Sequence, residues 1–252
     1  MSRTVAVVTG ASRNLGAATA TKLAEDGFAV AINYYEREAE VDVGGLVAHI
    51  EAIGGKAKGY LFDVSDEAAV ISGFERIRSE LGPIQVLVNN AAASVASSIE
   101  IAEIEVPDWD AVMATNLRGM FLCSKSALVD MKKMHQGSII NISSIRTILG
   151  MKGNIHYTTT KAGQIGFSRV LAREVGEFNI RVNSILCGGI KTPDESVYGD
   201  QDALDARMIG FQSLPRRGMP TDVANAVSFF ASPLSSFITG QSLVVDGGWV
   251  MD

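Results

Sequence analysis

Cysteine and clustered basic residues are both scarce in this sequence. Its two cysteines, Cys123 and Cys187, lie in apolar contexts with no C-x-x-C spacing and no histidine cluster, so neither a disulfide framework nor a metal site is expected. Lys and Arg number 22 against 28 Asp and Glu, which gives a formal net charge of −6. Phosphate-backbone binding needs clustered cations, so nucleic acid is not an expected partner. The cysteine usage favours a reducing, cytoplasmic setting.

Long apolar segments are missing as well. Runs such as residues 5–8 are far too short to span a bilayer, and a first strand that begins almost at Met1 leaves no room for an export signal. We therefore expect no membrane partner. No internal repeat, low-complexity segment or Pro/Ser-rich linker divides the 252 residues, which predicts one domain covering residues 1–252.

What the sequence does contain is an alternation of short β-branched runs with amphipathic stretches of helical length. This order is typical of a parallel sheet covered on both faces. We predict a single α/β domain of Rossmann type, doubly wound, with a seven-stranded parallel sheet and helices on both faces. The predicted strands are residues 4–9, 29–33, 57–62, 86–88, 138–142, 181–185 and 242–245. The predicted helices are residues 16–26, 43–53, 67–81, 109–131, 157–174 and 221–230.

One polar stretch, from Lys191 to about Leu214, shows no regular period. Long irregular loops inside compact domains are usually functional or mobile. We predict that residues 188–214 form a loop that covers a substrate.

The first predicted strand runs into T-G-A-S-R-N-L-G, where Gly10 and Gly16 open the first helix. Glycines at this point let the backbone approach a pyrophosphate, and the helix N-terminus offers unpaired N–H groups to the anion. Tight turns use glycine for other reasons too. Its place after the first strand of a βαβ run favours dinucleotide binding.

Tyr157 and Lys161 stand four residues apart in Y-T-T-T-K, and Ser144 lies thirteen positions before the tyrosine. Residues four apart share one face of a helix, so an ammonium group is expected beside the phenol, where it would lower the phenol's pKa from about 10. A hydroxyl from Ser144 would stabilise negative charge on a carbonyl oxygen. Ser143 is the competing serine, and strand alternation together with the spacing favours Ser144.

The T-G-x-x-x-x-x-G turn, the N-N-A segment, the serine, tyrosine and lysine, and a C-terminal D-G-G together resemble the short-chain dehydrogenase/reductase family, from Thr4 to Gly248. The 3-oxoacyl-carrier-protein-reductase-like branch is the most similar. The resemblance implies reversible hydride transfer between NADP(H) and a ketone or secondary alcohol. It implies that Tyr157 donates the proton, that Lys161 binds the nicotinamide ribose and tunes Tyr157, and that Ser144 orients the carbonyl.

Asn116, in T-N-L-R-G, matches the family asparagine that holds a water in a proton relay to Lys161. By itself it would be interpreted as a polar helix residue that bonds locally. Asp63 matches a carboxylate that contacts adenine, although an aspartate at a strand end also suits a turn. The cofactor-binding residues implied by the resemblance are Gly10, Ser12, Arg13, Asn14, Leu15, Gly16, Tyr34, Asp63, Val64, Asn90, Ala91, Tyr157, Lys161, Gly188, Ile190 and Thr192.

The choice of cofactor depends on the end of the second strand, where NAD-binding members carry an acidic residue. Tyr34 occupies that position, and Arg13 in the glycine turn offers a cation for a 2′-phosphate. NADP(H) is therefore favoured over NAD(H). Arg37 and Asn33 are weaker candidate contacts, and Glu36 is the residue that argues against this choice.

Several positions depart from the family pattern or remain open. Asn14 and Ala92 replace glycines, and Asn14 can adopt the positive φ that such a turn needs. Cys187 stands where P-G is common, either as a wall of the pocket or as a small buried hydrophobe. His156 is expected to be a pocket wall or an exposed cap, since it points about 100° away from Tyr157.

The pocket walls are expected from residues 92–98, 145–154 and 191–214, with Arg146, Met151 and His156 as candidate substrate contacts. Trp249 and Met251 are candidates for a subunit boundary, because the family commonly forms tetramers; a homo-oligomer, tetramer or dimer, is expected. Alternatives are a non-catalytic NADP(H)-binding regulatory protein, an NAD(H)-dependent alcohol dehydrogenase and a sugar-nucleotide epimerase or dehydratase. The substrate itself is not specified.

Overall fold

Seven parallel strands form one sheet in the order β3-β2-β1-β4-β5-β6-β7. The computed structural model describes residues 4–36, 39–93 and 100–251. The strands are β1 (Val5–Val8), β2 (Ala29–Tyr34), β3 (Lys56–Leu61), β4 (Ile84–Asn89), β5 (Gly137–Ser144), β6 (Ile180–Cys187) and β7 (Ser242–Val245). All seven predicted strands and the predicted fold class are confirmed.

Helices cover both faces of this sheet. They are α1 (Asn14–Glu25), α2 (Glu40–Ala52), α3 (Glu67–Leu81), α4 (Val106–Met113), α5 (Gly119–Met134), α6 (Arg146–Leu149), α7 (Ile155–Val175), α8 (Gln201–Gly210) and α9 (Pro220–Ala231). The helices α3, α5 and α7 pack on one face, and α1, α2 and α9 pack on the other. None of the helices in the described part of the chain has the length and apolar character needed to cross a membrane.

Alternation along β1 shows why this strand is continuously apolar. Val5 and Val7 face one core, whereas Ala6 and Val8 face the other, and all four are buried. A strand buried on both faces needs apolar residues at every position, because no side of it meets water. This pattern fixes the sheet as the central layer of the domain.

The predicted helix at residues 109–131 is longer and less regular in the structure. It consists of α4, a π-helical turn at Ala114–Arg118 and α5. π-helical turns inside α-helices occur frequently at functional sites, because the extra residue redirects the neighbouring side chains. Asn116 lies in this turn and is fully buried.

The prediction that residues 191–214 form an irregular loop was wrong. The segment contains a 3₁₀ helix at Pro193–Tyr198 and the ten-residue helix α8. Asp200 begins α8 as its N-cap, since its carboxylate accepts from the N–H groups of Asp202 at 3.0 Å and Ala203 at 3.1 Å. We call residues 188–214 the lid segment.

A buried arginine holds the lid segment together. Arg217 is only 5% exposed, and it pairs with Asp205 of α8 and, through both carboxylate oxygens at 2.8 and 2.9 Å, with Glu195 of the 3₁₀ helix. Lys191 also pairs with Asp205. The two short helices of the lid segment are therefore tied to one cation.

The strand order positions the site. From β1 the chain winds outward through β2 to β3 and then returns to place β4 on the other side of β1. In such sheets ligands bind beyond the carboxyl ends of the strands, at the point where the winding reverses. The ends of β1 and β4, with the neighbouring ends of β5 and β6, therefore form the edge where the predicted site residues meet.

Candidate active site

The backbone angles and close contacts of the glycine turn after β1 explain why these residues occupy it. Gly10 has a φ of +60° and Asn14 a φ of +50°, so the predicted tolerance of Asn14 for the left-handed region is confirmed. A Cβ on Gly16 would lie 2.4 Å from the carbonyl oxygen of Gly10, which excludes any side chain there. Arg13 precedes α1 without capping it through its side chain, so the first N–H groups of the helix are left for an anion.

Asn90 holds this turn in place. Its side-chain amide donates to the carbonyl oxygens of Thr9 at 2.9 Å and Gly10 at 2.8 Å. The hydroxyl of Thr9, a residue that the sequence did not single out, accepts from the backbone N–H groups of Asn90 and Ala91 at 3.0 and 3.1 Å. The N-N-A segment thus braces the glycine turn through several hydrogen bonds.

Asn33 contributes to the same brace from β2. It is 2% exposed, its Oδ1 accepts from the N–H of Gly10 at 3.2 Å, and its amide donates to the carbonyl oxygen of Phe62 at 2.9 Å. Its side chain therefore bonds backbone groups just beyond the ends of β1 and β3. The neighbouring Tyr34 is 8% exposed and packs in the core on the α1 face, so its contact with a cofactor stays a prediction. Arg37 lies outside the described residues.

Arg13 and Asn14 meet a carboxylate from the lid segment. The Nδ2 of Asn14 donates to Oδ2 of Asp194 at 2.6 Å, and Nε of Arg13 lies 3.5 Å from the same oxygen. Asp194 has no distinguishing pattern in the sequence, because it is one of several acids in a polar stretch. This contact joins the lid segment to the glycine turn, 180 residues away in sequence.

Asp63 makes a local turn at the end of β3. Its Oδ1 accepts from the N–H of Ser65 at 2.7 Å, which is the turn-forming role that the sequence analysis left open beside adenine binding. Val64 is buried and packs against Gly119, where a Cβ would lie 2.8 Å from a methyl carbon of Val64. Adenine contacts from this segment stay predictions.

Ser144 and Ser143 at the end of β5 point to different partners. The hydroxyl of Ser143 donates to the carbonyl oxygen of Lys161 at 2.9 Å, so it supports the backbone of α7. The side chain of Ser144 acts on the hydroxyl of Tyr157, whose pKa it lowers, and its Oγ accepts from the N–H of Arg146 at 3.2 Å. The structure thus pairs Tyr157 with the serine that the spacing favoured.

Lys161 lies under the ring of Tyr157 on the same face of α7. Its Nζ is 5.4 Å from the ring centroid and donates to the carbonyl oxygen of Ile142 at 2.6 Å. Lys161 is 2% exposed, and this burial lowers its pKa from 10.5 to about 8. The ammonium group therefore exchanges its proton near neutral pH.

The prediction that the pKa of Tyr157 is lowered was wrong. Burial raises the pKa of Tyr157 to about 12; Cys187 acts in the same direction, and the hydrogen bond from Ser144 and the charge of Arg146 oppose it. Desolvation outweighs these groups because the phenolate is the charged form. The hydroxyl therefore stays protonated throughout the physiological pH range.

Asn116 bonds at long range rather than within its helix. Its Oδ1 accepts from the N–H of Ala93 at 2.7 Å, and its Nδ2 donates to the carbonyl oxygen of Ala93 and to Thr160, both at 3.1 Å. Its own carbonyl oxygen accepts from Gln164 at 3.1 Å. Asn116 thus ties the segment after β4 to the π-helical turn and to α7, and its place in a proton relay stays a prediction.

The end of β6 completes the edge of the site. Cys187 pairs in register with Ser144, and burial raises the pKa of its thiol to about 12, against an opposing effect of Lys161. A Cβ on Gly188 would lie 2.5 Å from Cβ of Asp246, and Asp246 accepts from the N–H groups of Gly248 at 2.9 Å and Val250 at 2.7 Å. The C-terminal D-G-G motif therefore fixes the start of the lid segment.

The remaining predicted positions differ in their outcome. Ile190 bridges to Gly218, and Thr192 begins the 3₁₀ helix of the lid segment.

His156 is 1% exposed, so an exposed cap was the wrong alternative. Trp249 stacks on Phe211, with ring centroids 4.6 Å apart, which gives it a partner within its own chain. Of the predicted pocket wall at residues 92–98, residues 94–98 lie outside the described residues.

Within residues 4–36, 39–93 and 100–251, no group of three or more His, Cys, Asp or Glu side chains could hold a metal ion. An apolar groove of about 550 Å³ lies between α5 and α7, and none of the predicted catalytic residues lines it.

Comparisons with known proteins agree with this geometry. A family model described as enoyl-(acyl carrier protein) reductase matches residues 10–250. The 3-oxoacyl-[acyl-carrier-protein] reductase of Staphylococcus aureus is 36% identical over 246 residues, 98% of each chain. That of Synechocystis is 37% identical over 248 residues, 98% of this chain and 97% of its own.

A blue fluorescent protein from a metagenomic library, solved in complex with NADPH, has a TM-score of 0.90 and 33% identity over 99% of both chains. Both the sequence and the fold are therefore shared along nearly the whole length. Given a family model that spans residues 10–250 and relatives above one-third identity, the chain belongs to the short-chain dehydrogenase/reductase family.

Proposed function

We propose that this protein is an NADP(H)-dependent oxidoreductase that interconverts a ketone and a secondary alcohol. The observation that carries the proposal is the position of Tyr157: the side chain of Ser144 acts on its hydroxyl, and the buried ammonium group of Lys161 lies 5.4 Å from its ring centroid. A phenol that stays protonated and faces a second hydroxyl suits proton donation to a carbonyl oxygen. The NADPH-bound structural neighbour and the two 3-oxoacyl reductases support the same chemistry.

The glycine turn fits a dinucleotide. The N-terminus of α1 has no side-chain cap, and its turn is held open by Asn90 and Asn33. The residues that would hold the cofactor are those of this turn, together with Asn90, Ala91, Lys161 and the start of the lid segment. The bound nicotinamide would supply the hydride.

The catalytic roles follow from the local pKa values. Tyr157 would donate its hydroxyl proton to the carbonyl oxygen as the carbonyl carbon accepts the hydride, and Ser144 would donate a hydrogen bond to the same oxygen. The phenolate then takes a proton back through Lys161, whose pKa of about 8 suits exchange near neutral pH. Asn116 would keep the segment after β4 and the start of α7 at a fixed distance.

The experiment that tests the proposal measures nicotinamide absorbance while the protein acts on a panel of ketones with NADPH. The same panel with NADH, and the matching alcohols with NADP⁺ and NAD⁺, identify the direction and the cofactor. We expect NADPH consumption that depends on both the ketone and the protein. Tight NADPH binding without turnover of any ketone or alcohol would instead support a regulatory nucleotide-binding protein.

The preference for NADPH is expected to depend on Arg13. Arg13→Ala should raise the KM for NADPH by about tenfold or more and leave the KM for NADH within about twofold, because only NADPH carries a phosphate for the guanidinium group. Asp194→Asn should lower the KM for NADPH about two- to fivefold, since the exposed carboxylate competes weakly for Arg13.

Initial rates at varied NADPH and NADH concentrations give each KM, and repeating them at several salt concentrations shows how much of each change is electrostatic. Arg76→Ala, which removes an exposed arginine from α3, is the matched control and should change neither KM. Equal losses with NADPH and NADH in Arg13→Ala would assign Arg13 to the turn rather than to the 2′-phosphate.

We also propose a cytoplasmic homo-oligomer, a tetramer or a dimer. Phe121 and Val129 of α5 and Val170 of α7 are 47%, 48% and 60% exposed and line the apolar groove between these helices. Exposed apolar patches of this kind are commonly covered by another protein surface. Light scattering should give a mass of two or four times the 26.8 kDa of one chain.

A further inference from the structure

Arg146, one of the candidate substrate contacts of the sequence analysis, lies at the candidate site. It begins α6, two residues after Ser144, and its N–H donates to Oγ of that serine at 3.2 Å. Its side chain is half-buried. The guanidinium group folds over the segment that leads into α7, because Nη2 donates to the carbonyl oxygens of Lys152 at 2.9 Å and Gly153 at 3.0 Å.

The hydrogen-bonding capacity of Arg146 is only partly used. Its Nε is buried and has no hydrogen-bond partner among the described residues. An unpaired donor of this kind is unfavourable, and native proteins seldom keep one without a functional reason. Nη2 is already used by Lys152 and Gly153, whereas Nη1 makes no hydrogen bond among the described residues. Nη1 can therefore donate a charge-assisted hydrogen bond to a carboxylate.

The charge of Arg146 is also uncompensated. No carboxylate of the described residues lies within ion-pair distance of it. Two other sheltered arginines have acidic partners: Arg217 pairs with two acids, and Arg78 pairs with Asp130 at 2.7 Å. Arg181 lacks one, but its guanidinium group donates to Ser235 and to the carbonyl oxygens of Phe230 and Ser232. Arg146 differs from these three because it combines a missing anion with an unpaired Nε, two residues from Ser144.

The position of this charge relative to Tyr157 supports a role toward the substrate. The carbonyl oxygens of Lys152 and Gly153, which hold the guanidinium group, precede Tyr157 by only a few residues. Burial dominates the pKa of Tyr157, yet the field of Arg146 reaches the hydroxyl and opposes the rise. A group bound by Arg146 would therefore lie close to the carbonyl that Tyr157 protonates.

We propose that Arg146 binds a carboxylate of the substrate, so that the preferred substrate is an oxo acid or the corresponding hydroxy acid rather than a neutral ketone. The inference rests on the proposed ketone reductase function and specifies its substrate class. In this arrangement Ser144 and Tyr157 act on the carbonyl oxygen, and Arg146 orients the molecule through its charged end.

The test compares oxo acids with their methyl esters, which keep the ketone and remove the charge. 2-Oxobutanoate, acetoacetate and levulinate place the carboxylate at three distances from the ketone. We expect the wild type to favour at least one acid over its ester by about tenfold or more in kcat/KM, as a charge-assisted pair implies. Dihydroxyacetone phosphate is the arm for a phosphate-bearing substrate, and a preference for it over all three acids would overturn the carboxylate assignment.

Two variants separate charge from structure. Arg146→Gln should lower kcat/KM for the preferred acid by about tenfold to a hundredfold, mainly through KM. Its effect on the ester should be much smaller and fall on kcat, because only the action of the charge on Tyr157 is lost. Arg146→Lys keeps the charge without the planar fork and should fall between Gln and the wild type. Thermal unfolding of both variants checks that the segment leading into α7 stays folded.

A second measurement does not depend on turnover of an acid. With a neutral ketone as substrate, butanoate should inhibit the wild type competitively and Arg146→Gln at least tenfold more weakly, while butanamide should act equally on both. Equal losses on acid and ester in Arg146→Gln, or esters preferred by the wild type, would overturn this inference and leave the reductase function intact. No turnover of any ketone, charged or neutral, would overturn both.

Discussion

Replacing Tyr157 with Phe is expected to reduce NADPH-dependent ketone reduction by about 10²- to 10⁴-fold, the usual contribution of general acid catalysis. The substitution removes one oxygen and keeps the ring that lies 5.4 Å from Nζ of Lys161. Packing and cofactor binding should therefore remain. Single-turnover rates measure the chemical step, and the fluorescence of bound NADPH measures its dissociation constant, which should stay within about threefold of the wild type.

Tyr60→Phe provides a matched control for this substitution. Tyr60 is fully buried on β3, the edge strand on the far side of the sheet from β5, and its variant should reduce ketones at the wild-type rate. Wild-type turnover by Tyr157→Phe would refute the role of this hydroxyl. A parallel loss in both tyrosine variants would assign the effect to packing.

Lys161→Met is expected to abolish turnover while making the protein more stable. Burial lowers the pKa of Lys161 from 10.5 to about 8, and a shift of this size corresponds to roughly 3 kcal/mol of unfavourable free energy for the charged form. The hydrogen bond from Nζ to the carbonyl oxygen of Ile142 offsets part of this amount. We expect the free energy of unfolding at pH 7 to rise by about 1–3 kcal/mol in Lys161→Met.

The difference in unfolding free energy between the wild type and Lys161→Met should depend on pH in a defined direction. Between pH 8 and 10.5 the unfolded chain keeps the lysine proton and the folded protein has released it. The unfolded state then binds more protons, so the stability of the wild type rises with pH through this window relative to Lys161→Met. Urea unfolding of both proteins at several pH values should show the advantage of Lys161→Met shrinking above pH 8. A constant difference, or a less stable variant at pH 7, would contradict a destabilising buried charge.

The fold could be predicted from the sequence because several independent patterns indicate the same strands and helices. Several strands, such as β1 with its four buried apolar residues, are rich in apolar and β-branched residues, and glycines mark the ends of several helices. The catalytic residues could also be predicted, because Tyr157 and Lys161 are spaced by one helical turn on α7. Local spacing is information that a sequence carries directly.

What could not be predicted depends on contacts between distant segments. The pKa of Tyr157 follows from burial, and the direction in which Nζ of Lys161 points is set by the carbonyl oxygen of Ile142 on β5. The helix α8 escaped notice because only Leu204 among its residues is buried, which leaves a weak apolar period. Asp194 meets Arg13 and Asn14 only through the folded lid segment.

The hydrogen bonds that Asn90, Thr9 and Asn33 make to the glycine turn affect the thermodynamics of ligand association. A flexible turn would lose conformational entropy at the moment of binding, and that loss would be subtracted from the affinity. These side chains order the turn when the protein folds. The loss of conformational entropy is therefore part of the free energy of folding and is not subtracted from the affinity. Nucleotide association should accordingly be fast and should change the backbone of this region very little.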